Sequence, residues 1–97
     1  PLAEPGRHTY HRYIVRVPKD KRAALIAALD QQGIASEIYY PRGLHQQPAL
    51  ADFAPQEALP QTERATCETL ALPLYPELSF DDIERVVDTV SETLKIL

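Results

Sequence analysis

Hydrophobic and polar positions alternate from Tyr10 to Val17. Tyr10, Arg12, Ile14 and Arg16 fall on one side and His11, Tyr13, Val15 and Val17 on the other. A period of two with aromatic and β-branched residues predicts a strand with one apolar face, ended by Pro18. From Asp20 the period lengthens. Leu25, Ala28 and Leu29, with Ala24 beside them, recur at helical spacing, so Asp20 is expected to cap a helix that runs to about Gln32 and stops at Gly33. Ile34 to Tyr40 reads as a second strand, and 41–60, punctuated by four prolines and Gly43, as a long loop. Such a loop in a small domain is more often functional than filler. Thr62 to Thr69 reads as helix and Leu70 to Leu74 as a short third strand. Ser79-Phe80-Asp81-Asp82 has the form of a capping box, and Ile83, Val86, Val87, Val90 and Leu94 behind it mark the last helix. The order predicts an α+β fold, a small sheet of about three strands with helices packed on one face, because each helix has one apolar stripe to bury.

Length fits this picture with one domain: 97 residues suffice for a single compact core. Residues 1–9 lack periodicity and read as a linker, leaving 10–97 as the folded unit. The chain opens at Pro1 and lacks methionine, which suits either removal of an initiator or excision from a longer protein. A net charge of −4, with ten scattered Lys and Arg, argues against nucleic acid as partner. No apolar run reaches the ~20 residues of a membrane span. The single cysteine, Cys67, rules out an internal disulfide framework and suits a reducing cytoplasm. Inside a helix, it reads as a buried, inert thiol.

Metal chemistry finds little support. His8 and His11 would face opposite sides of a strand, and no Cys-x-x-Cys or His-Glu-x-x-His pattern occurs. His45, in the proline-bounded loop, reads as a solvated histidine or as a group that donates and accepts near a phosphate or sugar hydroxyl. Arg12 and Arg42 could take phosphate oxygens in a bidentate fork. Tyr39, Tyr40 and Tyr75 adjoin or approach prolines and read equally as stiffening contacts or as site residues. Asp81 and Asp82 are accounted for by the helix cap. The chain's three glycines form no phosphate loop.

The runs Tyr40-Pro41-Arg42-Gly43-Leu44-His45-Gln46-Gln47-Pro48-Ala49, Leu59-Pro60-Gln61-Thr62-Glu63 and Leu70-Ala71-Leu72-Pro73-Leu74-Tyr75-Pro76-Glu77-Leu78 are more particular. With Tyr10-His11-Arg12-Tyr13, Gly33-Ile34 and Ser79 through Glu84, they occur in the order seen in the C-terminal small domain of nucleotide-sugar aminotransferases of the DegT/DnrJ type. The chain resembles that domain from about Tyr10 onward. Arg42-Gly43 departs from the residue-Pro pair usual at that corner, which leaves the geometry before His45 open.

The resemblance implies a pyridoxal-phosphate-dependent homodimer that moves an amino group, usually from glutamate, to a nucleotide-linked keto sugar. It further implies that the Schiff-base lysine and most cofactor contacts belong to a large domain. Lys19, Lys21 and Lys95 match no such motif, so this segment alone is expected to be inactive and to wall one side of the active-site cleft. His45 and Tyr40 are the residues expected to face cofactor or substrate, with Tyr10, His11, Tyr13 and Arg42 as further candidates. The competing expectations are a stand-alone, non-catalytic α+β binding or regulatory module and a pure dimerisation domain. As an isolated small domain, the chain is expected to expose surface that normally packs on the large domain, whereas a dimerisation domain would need an exposed apolar patch beyond what its helices bury.

Overall fold

A computed structural model of the chain describes residues 6–96. The expected linker lies partly outside them at residues 1–5, and 6–9 carry no regular structure. Strand β1 (Tyr13–Arg16) leads to helix α1 (Lys19–Gln31). Two 3-10 turns follow, Leu44–Gln46 and Pro48–Phe53, then helix α2 (Pro60–Glu68), strand β2 (Thr69–Leu72) and helix α3 (Phe80–Ile96). The α+β class holds, with a sheet smaller than the alternation predicted.

β1 and β2 pair antiparallel, with Ile14 opposite Ala71 and Val15 opposite Leu70. The expected second strand contributes only one bridge, Glu37 to Ala71, at N···O distances of 3.2 and 2.9 Å. Ala35, Ser36 and Glu37 are weak strand formers, and Pro41 removes a donor while restricting Tyr40, so pairing does not extend. β1 also begins later than expected. Tyr10 has a left-handed φ of 53°, and its N–H bonds to His8 Nδ1, so residues 8–11 turn rather than extend. His8 and His11 are therefore not on a strand at all.

Because side chains alternate across a strand, Val15 and Leu70 share one face and Ile14 and Ala71 the other. The first face meets α1 and α3 around Val17, Leu25, Leu29, Ile34, Leu70 and Val86, with Leu25 and Leu29 fully buried. α1 starts two residues earlier than expected. The Pro18 carbonyl accepts from Lys21 and Arg22, leaving Asp20 in the first turn, where its charge still favours the helix dipole. At the other end Gly33 adopts φ +70°. Its N–H donates to the Asp30 carbonyl and that of Ile34 to the Leu29 carbonyl, the pair of hydrogen bonds that closes a helix through a left-handed residue. The Arg22 guanidinium, half-buried, donates to the carbonyls of Thr66 (2.7 Å) and Thr69 (3.2 Å), tying α1 to the junction of α2 and β2.

Ser79 caps α3 as the sequence predicts. Its Oγ accepts from the Asp82 N–H and donates to the Asp82 carboxylate. The apolar stripe of α3 is wider than the core can cover. Val86 is buried and Val90 and Leu94 lie against the core, but Ile83 and Val87 remain exposed. They line, with Tyr13, Leu72, Leu74 and Leu78, an apolar groove of about 220 Å³. Phe53 and Phe80 are also exposed. No helix among the described residues is long and apolar enough to cross a membrane. Cys67 is exposed on α2, contrary to expectation, because the α2 face turned inward carries Thr66, whose hydroxyl bonds the Glu63 carbonyl.

Candidate functional site

The second sheet face forms the floor of a cleft of about 610 Å³. Ile14, Thr69 and Ala71 lie at its base, Thr62, Ala65 and Thr66 of α2 form one wall, and Tyr39, Tyr40, Arg42, Gly43 and Leu44 form the other. The proline-bounded loop is thus not a loose excursion. Pro41 restricts Tyr40 and removes a donor, and the Leu44–Gln46 turn folds the chain back toward α2.

Arg12, Glu37, Tyr39, Tyr40 and Arg42 are the titratable side chains lining this cleft. The Arg12 guanidinium sits over the Tyr39 ring, 3.7 Å from its centroid, a cation–π arrangement that holds the arginine at the rim. Tyr40 presents a largely free aromatic face, 70% exposed. Two guanidinium groups can take anionic oxygens in paired hydrogen bonds, and a free ring can stack on a flat ligand. No lysine is among the residues lining this cleft.

His45 lies behind the wall rather than in it. Its side chain is 11% exposed, and Nε2 is 3.0 Å from Glu63 Oε1 on the first turn of α2. An ionised carboxylate only accepts, so Nε2 carries the proton and donates. That bond holds the Glu63 carboxyl below its ordinary range. Gly43 makes the position possible, because a Cβ there would stand 2.6 Å from His45 Cε1 and Nδ1. The φ of Gly43, −67°, is the value proline would impose, while its N–H donates to the Gln46 side chain at 3.0 Å. The departure from proline therefore keeps the corner and adds a donor.

The remaining candidates are dispersed. Tyr13 lines the apolar groove beside α3, His11 a shallow recess with Ser36 and Pro73, and Tyr10 stacks near His8 at a ring-centroid distance of 4.3 Å. Glu63 lies in a recognisable run, yet nothing in an 18-residue separation signals its contact with His45. The Arg12–Tyr39 pairing is equally silent in sequence.

Glu68 accepts from Arg64 at 2.8 Å and from Arg16 at 2.9 Å, and Arg64 chiefly holds its carboxyl below the usual range. With Glu63, this sets a pH dependence. Both native values lie below the unfolded ones, so the stability they contribute is complete above about pH 4.3, the unfolded glutamate value, and drains as pH falls through the native values. The urea midpoint of the chain is expected to fall in acid, and the deficit of a Glu63→Gln variant at neutral pH to shrink there. A deficit that grows below pH ~4 contradicts this sign.

Residues 1–91 match the DegT/DnrJ/EryC1/StrS aminotransferase family. The pleiotropic regulatory protein of Geobacillus stearothermophilus is 43% identical over 94 residues, 95% of this chain and 25% of that protein. The UDP-N-acetyl-3-dehydro-alpha-D-glucosamine 3-aminotransferase of Acidithiobacillus ferrooxidans is 37% identical over 97% of this chain and 25% of its own length. The crystal structure of NtdA from Bacillus subtilis, with bound cofactor PMP, superimposes with a TM-score of 0.79 at 28% identity, over 91% of this chain and 21% of that one. The chain spans about a quarter of the length of the curated relatives it matches.

Proposed function

The chain belongs to the DegT/DnrJ/EryC1/StrS aminotransferase family, and from that premise we propose that residues 10–97 form the C-terminal small domain of a nucleotide-sugar aminotransferase. The enzyme transfers an amino group, with glutamate as the expected donor, to a keto sugar carried on a nucleotide. Pyridoxal phosphate supplies the electron sink for that transfer when bound by the large domain. This domain binds and orients: Arg12 and Arg42 take anionic oxygens of the nucleotide-linked substrate, and Tyr40 offers a stacking face. The observation that carries the reading is the cleft itself, in which two arginines and two tyrosines converge on a sheet face left open by α1 and α3. The exposed apolar groove beside α3 supports a neighbouring large domain, and the intact enzyme is read as a cytoplasmic homodimer. The lone cysteine is in keeping with that compartment.

A second reading has one specific observation behind it, the similarity to a relative named as a regulatory protein. On that reading the fold is kept as a binding module without catalysis. The coding DNA upstream of the Pro1 codon separates the two. An open frame of a few hundred codons bearing a lysine-containing cofactor domain is the expected result, and a start codon immediately before Pro1 favours the binding module.

A further inference from the structure

The two cleft walls come from separate elements, the Leu44–Gln46 turn and α2, with the whole 47–59 segment between them. Among the described residues, one hydrogen bond joins the segment 39–53 to α2, and it is His45 Nε2–H to Glu63. His45 itself is absent from the cleft lining, although Gly43 and Leu44 before it and Thr62 beside Glu63 all take part. From this placement we infer that His45 and Glu63 are positioning residues, a brace that sets the spacing of the cleft walls without touching the ligand. The inference rests on the reading that the cleft takes a nucleotide-linked ligand.

Three physical features make the brace stiff. The imidazole occupies the space that a Cβ on Gly43 would need, 2.6 Å from that position, and the Thr62 methyl lies 2.9 Å from the same spot. The Gly43 N–H is held by the Gln46 side chain, so the turn is bonded within itself before it meets α2. A nearly buried N–H that loses its acceptor keeps its desolvation cost, so the ring would have to leave its position if Glu63 were removed. When it leaves, Gly43 and Leu44 move with it, and the wall bearing Tyr40 and Arg42 loses its fixed distance from α2.

The test measures affinity for UDP, or for dTDP where UDP does not bind, by calorimetry, in the full-length polypeptide that contains this chain. Glu63→Ala and His45→Ala are each expected to weaken binding about tenfold, as misplaced contacts do. The double variant is expected to be no weaker than either single one, because both remove the same brace. Glu63→Gln, whose amide oxygen still accepts from Nε2–H, is expected to stay within about threefold of the parent. A much larger loss for His45→Ala than for Glu63→Ala overturns the inference and makes His45 a ligand contact. Additive losses, or no loss in any variant, overturn it as well.

If the parent polypeptide binds neither UDP nor dTDP, the nucleotide reading is what fails, and hydrogen exchange then decides the brace by itself. The Gln46 and Gln47 amides, bonded to the Gly43 and Leu44 carbonyls, are expected to exchange faster in Glu63→Ala than in Glu63→Gln. Equal rates overturn it.

Discussion

Replacing Leu25 with alanine is expected to cost the fold about 2–5 kcal/mol, the range for truncating a fully buried leucine. Leu25 is 0% exposed and belongs to the cluster with Leu29, Leu70 and Val86. Loss of its isopropyl group removes apolar burial and leaves a cavity in the cluster to which α1, α3 and β2 all contribute. The surroundings cannot collapse easily, because Arg22 and Gly33 fix the position of α1 at both ends through bonds to the α2–β2 junction and through its left-handed stop. A domain of this size holds only some 5–15 kcal/mol in total, and this one exposes Ile83, Val87, Phe53 and Phe80 without cover. Urea unfolding followed by circular dichroism is the measurement. A midpoint unchanged from the parent would place the core elsewhere. Ala24, one position earlier and exposed, is the matched control, and its replacement by serine is expected to shift stability by less than about 0.5 kcal/mol.

Gly43→Ala is the second large effect, and its origin is steric rather than conformational. At φ −67° and ψ 158° the backbone of Gly43 lies where any residue is comfortable. The added methyl, however, would meet the His45 ring at 2.6 Å and the Thr62 methyl at 2.9 Å. A flexible side chain could swing aside at little cost. His45 cannot, because Nε2–H is bonded to Glu63 and the ring is nearly buried. Overpacking of this kind costs about 1–3 kcal/mol, and here it also breaks the bond across the cleft. Combining Gly43→Ala with His45→Ala removes the clash, so the pair is expected to be more stable than the sum of the single effects. Strict additivity, read from the same unfolding curves, would contradict the contact between Gly43 and the imidazole.

Much of this fold could be read from the chain before any coordinates. The 3.6-residue spacing of Leu25 and Leu29, the glycine after it and the Ser79 cap each encode a local geometry, and each is found. Errors gathered where tertiary pairing decides. Ile34 to Tyr40 has the alternation of a strand, yet only Glu37 finds a partner. Tyr10 has strand propensity, but a bond from its N–H to His8 turns it away. Cys67 is by residue type and helical position a candidate for the interior, but the rotation of α2 puts Thr66 there instead.

The site divides the same way. Arg12, Tyr40 and Arg42 were recognisable as candidates, and the fold brings them to one cleft. Tyr10, His11 and Tyr13 carry similar chemistry but sit around three other recesses: residues 10 and 11 turn before β1, and Tyr13, within β1, shares the face of Val15 rather than that of Ile14. Glu63 was invisible as a partner of His45, since a contact between a 3-10 turn and a helix start has no sequence period.

On the proposed function, this domain serves an aminotransferase acting on nucleotide-linked sugars. Amino transfer from glutamate to a UDP-linked keto sugar, followed as 2-oxoglutarate release in the presence of pyridoxal phosphate, tests it most directly. The full-length polypeptide is expected to turn over, and the 97-residue chain under the same conditions is not, since none of Lys19, Lys21 and Lys95 lies in the cleft. Turnover by the short chain alone, or none by a full-length polypeptide that has bound its cofactor and is offered a range of nucleotide-linked keto sugars, would contradict the account.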